Sequence, residues 1–310
     1  MIRESLPQLE GELYITDGGM ETTLIFHHGV DLPHFASFDL LKDEAGRQLL
    51  RDYYASYVDL ARELEVGLLL DTPTWRANPD WGAKLGYSEE ALEQVNREGV
   101  RLVDGLRTAD GPPIVVSGCI GPRGDGYQAS SRMTASEATR YHAPQAETLA
   151  TSGADMVSAL TMTYAEEPTG IVHAATAAGI PVSISFTVET DGRLPSGQSL
   201  RDAIEQVDAE TDGSVAYFMI NCAHPTHFAD AIEAGEPWVD RIGGLRANAS
   251  AKSHAELDES ESLDDGDPAE LGDLYAALRP RLPAVTVVGG CCGTDHRHVD
   301  AMCRSWSAAS

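Results

Sequence analysis

A chain of 310 residues with a formal net charge of −27, in which lysine occurs only at Lys42, Lys84 and Lys252, repels nucleic-acid phosphates and anionic lipid surfaces. No apolar run approaches the roughly 18 residues of a membrane span, so no membrane partner is expected. Five cysteines, an odd number in a long chain, argue against a disulfide framework and for metal or catalytic use.

The start, Met1-Ile2-Arg3-Glu4-Ser5-Leu6-Pro7, has neither the basic region nor the apolar core of a secretory signal, and a cytoplasmic location is the expectation. The acidic surface fits a salt-rich cytoplasm and an acidic proteome, where screening relieves self-repulsion. Apolar and β-branched runs follow at regular intervals, at 13–16, 66–70, 113–117, 156–160, 182–186, 216–220, 241–245 and 285–288. Helical spacing lies between them. Leu49, Tyr53, Tyr57, Leu60 and Leu64 share one face, and helices open at Ser88 and Ser136. Further helices are predicted over 167–178, from Ser199, and over 228–234, 268–278 and 296–306. Eight strands alternating with helices predict a (β/α)8 TIM barrel, parallel and eight-stranded, as a single domain over 1–310.

Two connections stand out. The stretch 118–133 is glycine-rich, holds Cys119, Arg123 and Tyr127, and belongs on the catalytic face. The stretch 256–267 is strongly acidic and reads as a solvated loop, with a lid over the active site as the alternative.

In such a barrel the residues after each strand gather at one mouth. Cys222 follows the sixth strand, while Cys291 and Cys292 follow the eighth within Gly289-Gly290-Cys291-Cys292-Gly293. Barrel closure brings the three together, and the glycines allow the sharp turn that adjacent ligands need. Three thiolates leave one position of a tetrahedral Zn2+ open, the pattern of a catalytic site; the bland alternative is small buried hydrophobes. Cys119 either lines the pocket or packs, and Cys303 belongs to the last helix. Asp71 and Trp75 follow the second strand, where the indole face either attracts a cationic methyl donor or serves packing. Arg123 either binds a substrate carboxylate or stands on the surface. His224 either orients the neighbouring ligand or caps a helix.

Together with Asn221-Cys222 and with Asp17-Gly18-Gly19-Met20-Glu21-Thr22, the double-cysteine motif resembles the homocysteine S-methyltransferase family, in order over nearly the whole chain. The resemblance implies a zinc-dependent barrel that methylates homocysteine to methionine, a step of methionine biosynthesis. It places Cys222, Cys291 and Cys292 at the zinc positions and Asp17 at a catalytic, amino-acid-binding aspartate. Glu21, Trp75 and Arg123 complete the candidate substrate residues. The family pattern has a glutamate for the substrate ammonium where Leu160 stands here, so a different thiol is the alternative acceptor. With the chain ending soon after the eighth predicted helix, no cobalamin or folate domain is expected. A small sulfonium such as S-methylmethionine or S-adenosylmethionine is therefore the expected donor. The expected partners are a small-molecule thiol and a methyl donor. Two other classes are a zinc hydrolase, with Asp17, Glu21 or His224 as base, and a metal-dependent binding protein.

Overall fold

The computed structural model describes residues 5–130, 132–260 and 262–309. Eight parallel strands close a barrel in chain order. They are β1 (Tyr14–Ile15), β2 (Gly67–Asp71), β3 (Ile114–Ile120), β4 (Met156–Met162), β5 (Val182–Phe186), β6 (Tyr217–Asn221), β7 (Ile242–Ala247) and β8 (Val287–Gly290). Closure comes from β1, where Tyr14 pairs with Gly67 on one side and with Val287 on the other. Every strand residue is buried, as expected where helices cover one face and the barrel interior fills the other. Leu69, Val115, Met156, Met219 and Val287 form the inner core, and a larger cluster lies between strands and helices. Ser117, Ser158 and Ser183 sit among these apolar residues and satisfy one another, with Oγ···Oγ distances of 2.7 and 3.0 Å.

The predicted strand order holds, with shifts at the ends. The eighth strand runs two residues later than its apolar stretch, because Gly289 and Gly290 continue the ladder. Neither position has room for a side chain: a Cβ would fall 1.9 Å from Thr16 Oγ1 at Gly289 and 1.9 Å from Thr294 Oγ1 at Gly290. This close approach delivers Cys291 directly to the mouth.

The helix Glu44–Leu64 carries the predicted face and ends on Glu65 in the left-handed region. Thr134, not Ser136, caps the helix Ala135–Thr151 through a capping box with Glu137. The helix predicted over 228–234 is instead one turn, Pro225–Phe228, followed by the 3-10 turn Ala229–Ala231. Gly235, at φ +86°, interrupts the apolar pattern before a full helix can form. Short helical turns at Met20–Thr22 and Pro79–Lys84 lacked the length for a periodic signal. No helix among the described residues is long and apolar enough to cross a membrane.

Candidate metal centre and its cavity

The three thiols converge at the C-terminal mouth. Cys222 follows β6 with φ +53°, a left-handed conformation that a cysteine adopts only when its surroundings impose it. Its amide donates to Arg246 O at 3.2 Å, and its carbonyl accepts from Thr187 Oγ1 at 3.2 Å. The His254 ring reaches the same carbonyl through Nε2 at 2.7 Å. Cys291 N donates to Ala247 O at 2.8 Å, and the Cys291 carbonyl accepts from Thr294 N at 3.1 Å and Thr294 Oγ1 at 2.7 Å. Gly293, at φ +79°, makes the turn that lets both neighbouring sulfurs face inward.

Cys222 Sγ lies 2.6 Å from Cys291 Sγ and 3.6 Å from Cys292 Sγ, and all three sulfurs fall within 4.8 Å of one another. Tetrahedral ligation at a zinc–sulfur distance of about 2.3 Å needs sulfur–sulfur edges of about 3.8 Å. The Cys222–Cys292 edge fits as it stands, and the Cys222–Cys291 edge fits once it opens by about 1 Å. The donor set therefore suits one soft or borderline metal ion. Hydrogen bonds from Cys222 and Cys292 push the Cys291 thiol below its ordinary range. Asn221, beside Cys222, is fixed from three sides. Its Oδ1 accepts from Thr161 N at 2.9 Å and Ser185 Oγ at 2.6 Å, while Nδ2 donates to Thr161 Oγ1 at 2.8 Å. The same Nδ2 points at Cys291 Sγ, 3.9 Å away.

A cavity of about 510 Å³ opens onto the sulfurs. Asp17, Glu21 and Trp75 line it, as do Cys119, Leu160 and Tyr127. Asp17 and Asp71 share the buried Arg246: its Nη2 donates to Asp17 Oδ1 at 2.5 Å, and its Nη1 pairs with Asp71. Tyr53, from the helix Glu44–Leu64, donates to Asp17 Oδ2 at 3.1 Å. Burial pushes the Asp17 carboxyl up to about 7, against the opposing pull of Arg246. Asp71 is raised for the same first reason. Burial also raises Glu21, whose Oε1 accepts from Ser37 Oγ at 2.8 Å.

The other sequence candidates separate clearly. One face of Trp75 is covered by the Arg76 guanidinium, 4.0 Å from the ring centroid, and its indole N–H donates to Leu160 O at 3.3 Å. Arg123 does not reach the cavity; it pairs with Asp80 at 2.8 Å on the outer side and lies over Tyr141. His224 caps the helix Pro225–Phe228, and burial lowers it to about 4. It is not part of the cavity wall. Cys119 both lines the cavity and packs in the inner core, and Cys303 is buried in the helix His296–Ala308.

Sequence reasoning missed Arg246 and His254, and gave the inward side of the acidic stretch only as its alternative. Arg246 meets its acids across 175 and 229 residues, and no local pattern reports such partners. The acidic stretch opens with the capped helix His254–Asp258, and then Ser260, Ser262, Leu263 and Asp264 join Leu257 on the cavity wall. These residues border the cavity, while Glu256, Glu259 and Asp267 are exposed. Leu257 and Leu263, set among many acids, were the available signal.

A search of curated proteins found no significant match. Among solved structures, the homocysteine methyltransferase MmuM of Escherichia coli is similar in its oxidized form, with a TM-score of 0.76 and 21% identity over 100% of this chain and 99% of that one. Its metallated form gives 0.72 and 19%, over 98% of this chain and 99% of that one. Likeness at such identities shows a shared barrel. The homocysteine S-methyltransferase profile reaches further, matching residues 14–306, from β1 into the last helix and across every cysteine of the centre. A barrel with this sulfur cluster and this profile match belongs to the homocysteine S-methyltransferase family, whose members are methyltransferase enzymes.

Proposed function

We propose that this chain transfers a methyl group from a small sulfonium donor to the sulfur of homocysteine, giving methionine, with Zn2+ held by Cys222, Cys291 and Cys292. The observation that supports this most directly is the convergence of three thiols from β6 and β8 at the end of one cavity. Held by these three cysteines, zinc would lower the pKa of an entering thiol, and the thiolate ligands would keep that sulfur electron-rich and nucleophilic.

The surrounding residues hold and orient the reactants. Asn221 fixes the approach of Cys291 and ties β6 to Thr161 at the tip of β4. Arg246 pairs with both Asp17 and Asp71, one positive charge set between two buried carboxyls whose proton affinity burial raises. Glu21 lines the cavity and makes no ion pair among the described residues. It is the carboxylate we assign to the acceptor ammonium. Asp17, with one oxygen on Arg246 and the other on Tyr53, shapes the polar end of the substrate subsite. Leu160 and Trp75 supply an apolar wall that keeps water from the reacting sulfur. Of the three bases a hydrolytic reading could use, His224 is turned away to cap a helix and Asp17 has both oxygens engaged by Arg246 and Tyr53, which leaves Glu21 alone.

The test is metal analysis of protein purified under reducing conditions, followed by turnover with a panel of thiols and methyl donors. One equivalent of zinc and methionine formed from homocysteine are expected. Protein that holds no zinc overturns the metal assignment. Inert homocysteine beside a reactive second thiol overturns the acceptor.

A further inference from the structure

Five carboxyl groups line the cavity: Asp17, Glu21, Asp71, Asp125 and Asp264. Three of them have a cation of the protein beside them. Asp17 and Asp71 share Arg246, and Asp264 pairs with Lys252 at 3.2 Å. Glu21 and Asp125 form no ion pair among the described residues. The proposed reaction brings an acceptor ammonium and a donor sulfonium to the same space, and Glu21 is assigned to the ammonium.

Asp125 sits in the connection after β3, whose backbone is held from several sides. Asn78 Nδ2 donates to Pro122 O at 3.2 Å. Gly124 O accepts from Arg76 Nη1 at 3.0 Å and from Trp81 Nε1 at 3.3 Å. Arg123 N donates to Oε1 of the buried Glu167 at 2.7 Å, and His142 Nε2 lies 3.0 Å from the same oxygen. Asp125 Oδ1 closes a turn on its own chain by accepting from Tyr127 N at 2.7 Å, which leaves Oδ2 for a ligand. The next two residues tie this turn to the reacting end of the cavity. A Cβ on Gly126 would lie 3.1 Å from both Thr161 Cγ2 and Trp75 Cζ2, and the Tyr127 phenol oxygen stands 3.4 Å from Cys292 Sγ.

We propose that Asp125 recognises the sulfonium charge of the methyl donor, held beside the sulfur cluster by the turn that it closes. The inference rests on the sulfonium reading given above and names the residue that selects for it. A sulfonium and its carbon isostere share one shape, so only charge can tell them apart. Asp125 is half-buried. At a separation of about 6 Å and an effective dielectric of about 40, its attraction for a cation amounts to about a tenfold difference in affinity.

Calorimetric titration of the zinc-loaded full chain, without acceptor thiol, provides the test. It compares S-methylmethionine with 2-amino-5-methylhexanoate, in which a CH group replaces the sulfonium sulfur. Wild type should bind the sulfonium about tenfold more tightly than the isostere. Asp125→Asn keeps an oxygen for Tyr127 N and loses the charge, so it should bind the two compounds alike. In turnover the same variant should raise the KM for S-methylmethionine about tenfold and leave the KM for the thiol where it was. Glu21→Gln should still prefer the sulfonium. Wild type that binds both compounds equally overturns the proposal, as does an Asp125→Asn protein that keeps the preference. Loss of the preference in Glu21→Gln alone assigns the role to Glu21 and overturns it too. A preference that depends on Asp125, in a protein that turns over no sulfonium, supports the recognition and overturns the proposed reaction instead.

Discussion

Replacing Asp17 with asparagine should flatten the pH dependence of stability. The folded carboxyl titrates at about 7, raised from an ordinary 3.8 first of all by burial. Between those limits the folded chain keeps a proton that the unfolded chain has released, so stability falls as pH rises. The contribution is fully present below about pH 4 and is lost by about pH 7. At about 1.4 kcal/mol for each pH unit, the loss amounts to about 4 kcal/mol. Asparagine keeps the shape and titrates nowhere in this range, and Arg246 retains Asp71 as its partner. The stability of wild type minus that of Asp17→Asn should therefore fall by about 4 kcal/mol between about pH 4 and pH 7. Urea unfolding of chelated, reduced protein, followed by far-ultraviolet circular dichroism across that range, measures the difference. Parallel curves for the two proteins would refute both the burial argument and the assignment of the raised group.

Three further outcomes are expected. Cys222→Ser should lose zinc and activity while keeping the far-ultraviolet spectrum of a folded barrel, and zinc retained at one equivalent would remove Cys222 from the ligand set. Mild oxidation should join Cys222 to Cys291, whose sulfurs are 2.6 Å apart, and peptide mapping should find that pair with release of metal reversed by reductant. Raising salt should raise the melting temperature, because a net charge of −27 repels itself and screening relieves it; a temperature that falls with added salt contradicts this.

What could be read from the sequence was the part set by period and punctuation. Buried strands in a parallel barrel are continuous apolar runs, and each run here became a strand within a few residues. Cys222, Cys291 and Cys292 were legible because a barrel turns strand order into proximity. The rest depends on contacts across the barrel. Arg246 interrupts an otherwise apolar strand, and its meaning appears only when Asp17 and Asp71 arrive beside it from β1 and β2. Tyr127 lies in a stretch that turn residues mark as irregular, and only the folded backbone shows where it aims. Arg123, four residues earlier in the same stretch, had the more inviting chemistry and faces Asp80 outside the cavity. The helix Ala135–Thr151 began one residue before Ser136 because Thr134 and Glu137 complete a box that Ser136 cannot.

The carboxylates of the cavity wall have a consequence for turnover. Glu21, Asp125 and Asp264 line the same space as the sulfurs, within a chain that is strongly acidic throughout. On the proposed chemistry the donor enters as a sulfonium cation and departs as an uncharged sulfide. One carboxylate about 6 Å from a cation contributes roughly 3 kcal/mol of attraction at an effective dielectric near 20. That attraction vanishes once the methyl group has moved. On that chemistry an acidic wall would hold the cationic donor more strongly than the uncharged sulfide it becomes. Inside the cavity this preference is sheltered from the salt that screens the outer surface.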